Sequence, residues 1–112
     1  MQTKFDVDYL EEAIDFLLEI DSTASKKIFY NIEKAKALND PKLFKKLNGD
    51  IWEFRTLYNG LQYRLLAFWD KKEGVDTLVI ATHGFIKKVS KVSSNEIKKA
   101  EKIRKLYFEV KE

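Results

Sequence analysis

Two strand-like runs, Ile51–Tyr58 and residues 61–69, are separated by the dipeptide Asn59-Gly60. An Asn-Gly pair between such runs is the strongest short-range signal for a two-residue hairpin turn, because both positions accept a positive φ. If these two residues form the turn, Tyr58 lies opposite Leu61. Arg55 then lies directly across from Arg64, and the two arginines share one face of the hairpin.

This arginine pair breaks a local rule of sheet formation, since like charges that face each other repel and do not stabilise the fold. Such departures are frequent at functional sites. The face that carries the pair, which we call the arginine face, is predicted to be a half-exposed cleft able to receive an anion. It also holds Glu53, Leu57, Gln62, Leu66 and Phe68. The alternative is an ordinary solvated sheet face on which Glu53 and dissolved salt screen the arginines.

The opposite face of the hairpin is almost continuously apolar and aromatic, which predicts that it packs beneath helices. Its members are Trp52, Phe54, Thr56, Tyr58, Leu61, Tyr63, Leu65, Ala67 and Trp69. Three of these rings are also of the kind that stacks on nucleic-acid bases. Because they alternate in step with Phe54 and Leu65, core packing is the favoured interpretation.

Helical periodicity marks three segments. The first follows a candidate N-cap at Asp8, the second is capped within residues 21–23, and the third follows a capping box formed by Ser93 and Glu96. Their predicted inward stripes are Leu10, Ala13, Ile14, Leu17 and Leu18; Ala24, Ile28, Ile32, Ala35 and Leu38; and Ile97, Ala100, Ile103, Leu106, Tyr107 and Val110.

Shorter signals complete the prediction of elements. A weak strand is expected within residues 1–6, a short amphipathic piece within 42–50, a polar turn at 70–74 and a central strand at 77–82, which is apolar on both faces. The length of 112 residues fits one domain, covering 1–112.

Composition narrows the function classes. The chain has no cysteine, which excludes disulfides, thiol catalysis and cysteine-ligated metals. No run approaches the roughly 20 apolar residues of a membrane span, and no signal-peptide pattern is present, so we expect a cytoplasmic protein with no membrane partner. Residues 1–41 hold five Lys and nine Asp or Glu, whereas 42–112 hold sixteen Lys or Arg and nine Asp or Glu. The basic second part suits a nucleic-acid partner, although lysine-rich surfaces also serve solubility.

The single histidine, His83, is a candidate proton donor or acceptor. It follows the predicted central strand, precedes Gly84, and is followed by Lys87 and Lys88. Clustered cations with one acid or base suit a phosphodiester, whose transition state gathers negative charge. RNA is favoured over DNA because its 2′-hydroxyl is a built-in nucleophile, so that the reaction needs no metal and leaves a cyclic phosphate. Whether His83 shares a face with the arginines cannot be decided from the sequence.

Three segments resemble the RelE/HigB-like toxins of type II toxin–antitoxin systems, in particular their phage-derived branch. They are residues 46–55, 63–66 and 83–88, and the C-terminal segment with Glu96-Ile97 and Lys99-Ala100 is similar too. The resemblance implies a RelE/ParE-like α+β fold: a small twisted, mainly antiparallel sheet packed against two N-terminal helices, plus a C-terminal helix. It also implies a ribosome-dependent endoribonuclease (mRNA interferase) that inhibits translation by cutting mRNA. The expected partners are the ribosome, mRNA and a cognate antitoxin, usually with a helix-turn-helix DNA-binding domain.

The resemblance also assigns roles to individual residues. Arg64 would contact the scissile phosphate, Arg55 would add a second cation, and His83 is the candidate acid or base. RNA would be held by Lys46, Lys87, Lys88 and Lys91, and neither a metal nor another cofactor is expected. Active relatives carry a tyrosine near the start of the C-terminal segment, which residues 89–95 lack, so the proton-transfer groups stay open. The alternatives are a non-catalytic ParE-like toxin that binds gyrase and an inactive interaction module of the same fold.

Overall fold

The structure, a computed structural model, describes residues 3–72 and 75–111. The described elements are β1 (Asp6–Tyr9), α1 (Glu11–Glu19), α2 (Ser22–Ala37), β2 (Phe44–Asn48), β3 (Ile51–Tyr58), β4 (Leu61–Lys72), β5 (Val75–Lys87) and α3 (Ser94–Lys111). The strands form one sheet in the order β1-β5-β4-β3-β2, in which β1 is parallel to β5 and the other neighbours are antiparallel. This mixed, mainly antiparallel sheet with two N-terminal helices and a C-terminal helix confirms the predicted α+β class.

The β3–β4 hairpin has the predicted turn and register. Asn59 and Gly60 adopt positive φ values of 51° and 78°, as a type I′ turn requires. Tyr58 pairs with Leu61 and Arg55 pairs with Arg64. The positions of the two arginines therefore follow from one dipeptide in the sequence.

Helices α1 and α2 cover the aromatic face of the sheet, which we call the helix-pair face. The buried cluster between them includes Ala13, Leu17, Ala24, Ile28, Ile32, Ala35, Phe54, Tyr63, Leu65 and Ala67. The α1 ring of Phe16 packs so closely on β5 that a Cβ added at Gly84 would lie 2.2 Å from Phe16 Cδ2. Only glycine fits at that position. The prediction that this face forms the core is confirmed.

Helix α3 lies across the arginine face, where it buries a second apolar cluster. Its members are Ile51, Leu66, Phe68, Ile80 and Ala100, with Ile97, Tyr107 and Phe108 packed against them. Near its C-terminus, Tyr107 Oη donates to Asp70 Oδ2 at 2.7 Å, and Lys111 is ion-paired with the same carboxylate. The arginine face was expected to be a half-exposed cleft, and that is wrong for the part beneath α3.

Several predicted boundaries are wrong. Strand β1 begins at Asp6, so Asp8 lies within it; Leu10 precedes α1 and provides no side-chain cap. The 42–50 piece contains the edge strand β2, because its Phe44 pairs with Phe54. Strand β4 continues to Lys72, and the rest of the predicted polar turn, 73–74, lies outside the described residues.

The predicted apolar stripes were too wide. Ile14, Leu18, Leu38, Leu106 and Val110 are all exposed. Helix α1 has only nine residues and contacts the core through Ala13, Phe16 and Leu17, so its remaining apolar side chains point outward. In the last two turns of α3, Phe108 faces inward in place of Leu106.

Candidate functional site

Three cross-strand rows on the arginine face bring the candidate residues together. Side chains that pair directly across a sheet project from the same face. The rows, each running from β3 through β4 to β5, are Glu53–Leu66–His83, Arg55–Arg64–Phe85 and Leu57–Gln62–Lys87. The β4–β5 register therefore decides what the sequence left open: His83 and Lys87 share a face with both arginines.

A buried carboxylate separates the two arginines. Glu53 Oε1 lies 3.0 Å from Arg64 Nε, and Glu53 Oε2 lies 3.7 Å from Arg55 Nε. Neither Arg64 Nε nor Glu53 Oε1 has a hydrogen-bond partner among the described residues. Their contact is thus a close ion pair without the geometry of a hydrogen bond.

Arg64 is the most enclosed of the cations, with only 2% of its side chain exposed. Its Nη1 donates to the backbone oxygen of Tyr63 at 3.0 Å, and its Nη2 donates to Gln62 Oε1 at 2.7 Å. Burial lowers the pKa of Arg64, Glu53 raises it and Arg55 lowers it again. The expected open anion cleft is therefore closed at Arg64 by Glu53 and Gln62.

Accessible positive charge surrounds this buried pair. Arg55 is 30% exposed and its Nη1 donates to the Pro41 carbonyl at 3.5 Å. Lys87 Nζ donates to the Ser90 carbonyl at 3.3 Å. The pKa of Lys87 is lowered first by desolvation and then by Arg64, with further lowering from Arg55 and Lys45. Four cations thus lie close enough to influence one another, with Glu53 as the carboxylate among them; we call this set the cation cluster.

His83 lies in the interior of β5, because the strand runs on to Lys87 and does not end at residue 82. A register shift makes Thr82 an extra residue opposite β4, a bulge of the kind that re-aims side chains near sites. The ring is 4% exposed, with Nε2 at 2.9 Å from Glu96 Oε1 on α3 and Nδ1 at 3.0 Å from Thr82 Oγ1. Burial lowers the pKa of His83, and the hydrogen bond to Glu96 works against that shift.

Glu96, the partner of His83, also belongs to the cap at the start of α3. Ser93 Oγ accepts the backbone N–H of Glu96 at 3.3 Å, which is the first half of the predicted capping box. The Glu96 side chain contacts His83 in the sheet. Sequence reasoning identified Glu96 as a capping residue but gave no signal for its contact with His83, thirteen residues away.

The other lysines predicted to bind RNA lie in two different regions of the structure. Lys88 and Lys91 are exposed and, with Lys87 and Glu96, border a small pocket of about 130 Å³ beside the cation cluster. Lys46 pairs with Trp52 and so lies on the helix-pair side of the sheet. Its neighbour Lys45 pairs with Glu53 on the arginine face. The alternation of β2, had this strand been predicted, would have indicated Lys45 in place of Lys46.

A family model described as phage derived protein Gp49-like (DUF891) matches residues 15–105. The chain belongs to this family. The matched part of this Gp49-like chain contains the whole cation cluster together with His83 and Glu96. A comparison with curated proteins gave no match.

Two further properties of the Gp49-like chain concern ligands and membranes. Within 3–72 and 75–111, no group of three or more His, Asp or Glu side chains is arranged to hold a metal ion. Over the same residues, no helix is long and apolar enough to cross a membrane.

Proposed function

We propose that this Gp49-like protein is the toxin of a type II toxin–antitoxin pair and inhibits translation by cleaving mRNA on the ribosome. The observation that carries the proposal is the cation cluster: Arg55, Arg64, Lys45 and Lys87 gathered on one sheet face around Glu53. A face with this excess of positive charge suits the phosphodiester backbone of RNA. The resemblance of residues 46–55, 63–66 and 83–88 to RelE/HigB-like toxins supports the same assignment.

The proposed reaction needs no metal. The 2′-oxygen of the RNA attacks the adjacent phosphorus and loses its proton, while the bond from phosphorus to the 5′-oxygen breaks and that oxygen gains a proton. The products are a cyclic phosphate and a free 5′-hydroxyl. Arg55 and Arg64 would stabilise the negative charge that gathers on the phosphoryl oxygens, because charge-assisted hydrogen bonds strengthen as that charge develops.

Lys87 is our candidate for moving a proton in this reaction. Desolvation lowers the pKa of Lys87 first, and Arg64 and Arg55 lower it further; a lysine with a lowered pKa is a better general base near neutral pH. Both ring nitrogens of His83 already have partners on Thr82 and Glu96. The catalytic role of His83 stays a prediction, and its contacts favour a positioning role that holds α3 on the sheet.

Arg64 reaches substrate in this proposal only if Glu53 or Gln62 releases it. A phosphate entering the site would meet Arg55 and Lys87 first, since these side chains are accessible. Its charge would then compete with Glu53 for the Arg64 guanidinium. The order of contact is therefore exposed cations first and the buried arginine second.

The proposal is tested by tightly controlled induction, with growth measured and the 5′ ends of cellular mRNA mapped. The wild type should arrest growth and create frame-dependent ends; Arg64→Ala and Lys87→Ala should abolish both. Lys26→Ala, which removes one charge from the exposed side of α2, is the matched control and should behave as wild type. Purified protein with translating ribosomes should reproduce the cuts without added cofactor. The pH dependence of the cleavage rate should differ between the wild type and Lys87→Arg.

The partner and the place of action belong to the same proposal. A cognate antitoxin with a helix-turn-helix domain would neutralise the toxin, and the cytoplasm, where ribosomes translate, would be its location. Co-expression with the product of a small neighbouring gene should restore growth and give a complex that copurifies. Failure of every neighbouring gene product to do so would count against the toxin–antitoxin assignment.

A second candidate function follows from the burial of Arg64. The Arg64 guanidinium is 2% exposed and ion-paired with Glu53, so in this conformation it serves a structural role and does not contact a substrate. This observation favours a non-catalytic relative, either a ParE-like toxin that binds gyrase or an inactive interaction module. Growth arrest with no new mRNA ends would support the gyrase-binding toxin, and absence of arrest would support the interaction module.

A further inference from the structure

A second pocket, of about 490 Å³, lies where β2, β3 and β4 meet the C-terminal half of α3. Its size falls in the range of small-ligand sites. Three cations and three aromatic residues contribute to its lining: Lys46, Lys71, Arg104, Trp52, Trp69 and Phe108. We call it the tryptophan pocket, because it contains both tryptophans of the chain.

The two tryptophan rings of this pocket are packed against each other and against neighbouring rings of the sheet. Trp52 and Trp69 meet edge to face with their centroids 6.0 Å apart, and Trp52 also stacks on Phe44 at 4.9 Å. The Arg104 guanidinium lies over the Phe108 ring, 5.2 Å from its centroid. Ring contacts in the sheet therefore hold the tryptophans, and the Phe108 ring holds Arg104, which suits a preformed site.

The polar groups of the pocket are arranged for an anion. Arg104 Nη1 lies 3.5 Å from Asp50 Oδ2, the carboxylate that borders the pocket. Arg104 Nε is buried and has no hydrogen-bond partner among the described residues. Lys46 is exposed at the rim. Lys46 and Arg104 both line the pocket beside the carboxylate of Asp50, so the charge of Lys46 is left to meet an anion after the Arg104–Asp50 contact.

The tryptophan pocket is separate from the cation cluster. Lys46 and Trp52 project from the helix-pair side, whereas their chain neighbours Lys45 and Glu53 project from the arginine face. Arg104 and Phe108 reach the pocket from α3, and no residue of its lining belongs to the cation cluster.

We propose that the tryptophan pocket binds one nucleotide of a single-stranded RNA, with the base against the tryptophans and the phosphate on Lys46 and Arg104. Aromatic side chains beside basic ones are the usual means of holding an unpaired base and its phosphate. The choice of RNA over DNA rests on the proposed function, since an RNA that is cut at the cation cluster needs a second point of attachment. The binding chemistry itself does not depend on cleavage.

Tryptophan fluorescence tests the proposal directly, because both reporters line the pocket. The probes are uridine monophosphate and a single-stranded 2′-O-methyl oligouridylate, which has no free 2′-hydroxyl and cannot be cut by the proposed reaction. We expect saturable quenching by both. Lys46→Gln and Arg104→Gln should each weaken binding about tenfold, the loss typical of one charge-assisted hydrogen bond. Lys105→Gln, which removes the next charge along α3 from an exposed position outside the lining, is the matched control and should bind as wild type.

The outcomes separate this proposal from the proposed function. Arg64→Ala should lose mRNA cleavage and keep the quenching. Absence of saturable quenching, or equal binding by the Lys46→Gln and Lys105→Gln variants, overturns the pocket proposal even where cleavage persists. Equal affinity for the matching oligodeoxyuridylate would overturn the preference for RNA. Thermal melting of each variant establishes that it is folded, and Lys46→Gln keeps the test decisive if Arg104→Gln fails to fold.

Discussion

Replacing Glu53 by Gln is the most informative single change, because it removes the charge between the two arginines while preserving the volume of the side chain. Glu53 is 3% exposed and its oxygens lie 3.0 Å from Arg64 Nε and 3.7 Å from Arg55 Nε. With an effective dielectric constant of about 20, Coulomb's law gives roughly 5 kcal/mol of attraction at each separation. Much of this offsets the desolvation of buried charges, and breaking such a pair typically costs about 3–5 kcal/mol. We therefore expect Glu53→Gln to lower the free energy of unfolding by that amount.

Urea unfolding measures the effect. For slopes of about 1–3 kcal/mol per molar urea, the midpoint should fall by more than about 1 M. Glu109→Gln, at an exposed position on α3, is the control and should stay within about 0.5 kcal/mol of wild type. The double variant Glu53→Leu with Arg64→Leu should recover most of the loss, because it leaves no buried charge of the pair. A loss below about 1 kcal/mol for Glu53→Gln would refute the argument that the carboxylate holds Arg64 in place.

Three further predictions concern the sheet around the site. Gly84→Ala should destabilise the fold by about 1–3 kcal/mol, because its Cβ would overlap the Phe16 ring; chemical denaturation checks this, and Phe16→Leu in the same chain should relieve part of the loss. Trp69→Ala should cost on the order of 3–5 kcal/mol through a cavity among its aromatic neighbours, and a near-neutral result would contradict its packing role. Burial lowers the pKa of His83, so the unfolded chain takes up this proton first; stability should fall as the pH drops below about 6.5, until the folded-state pKa is passed. His83→Gln should lose that part of the pH dependence in unfolding curves.

The hairpin was predictable because its information is local. Asn59-Gly60 fixes the turn, the turn fixes the register, and the register places Arg55 opposite Arg64. The helix-pair core followed from strict alternation in the same two strands. In both cases a short stretch of sequence contains every group that decides the geometry.

The features that the sequence did not predict depend mainly on contacts between segments that are distant in the chain. The face of His83 depends on a bulge at Thr82 that forms only when β5 pairs with β4. Its partner Glu96 comes from α3, whose position on the sheet is set by packing against Leu66 and Phe68. The burial of Arg64 has another origin: Glu53 and Gln62 enclose its guanidinium, and alternation along the strands does not reveal how far these side chains reach.

Glu53 forms ion pairs with both arginines and so explains, without reference to function, why the two like charges are tolerated. A test at Arg55 can therefore distinguish the two candidate functions. A purely structural Glu53–Arg64 pair would leave Arg55 free of constraint, and a neutral side chain at position 55 would then preserve both stability and biological effect. Arg55, however, contacts the same carboxylate and is partly exposed. It belongs to the same cluster as Lys45 and Lys87, and the repulsion among these cations destabilises the folded state. Because four cations surround one carboxylate, Glu53, a bound polyanion is the simplest source of further compensation. Arg55→Gln loses the attraction to Glu53 together with the repulsion from the neighbouring cations, so it should leave the free energy of unfolding within about 1 kcal/mol of wild type while weakening the effect on growth.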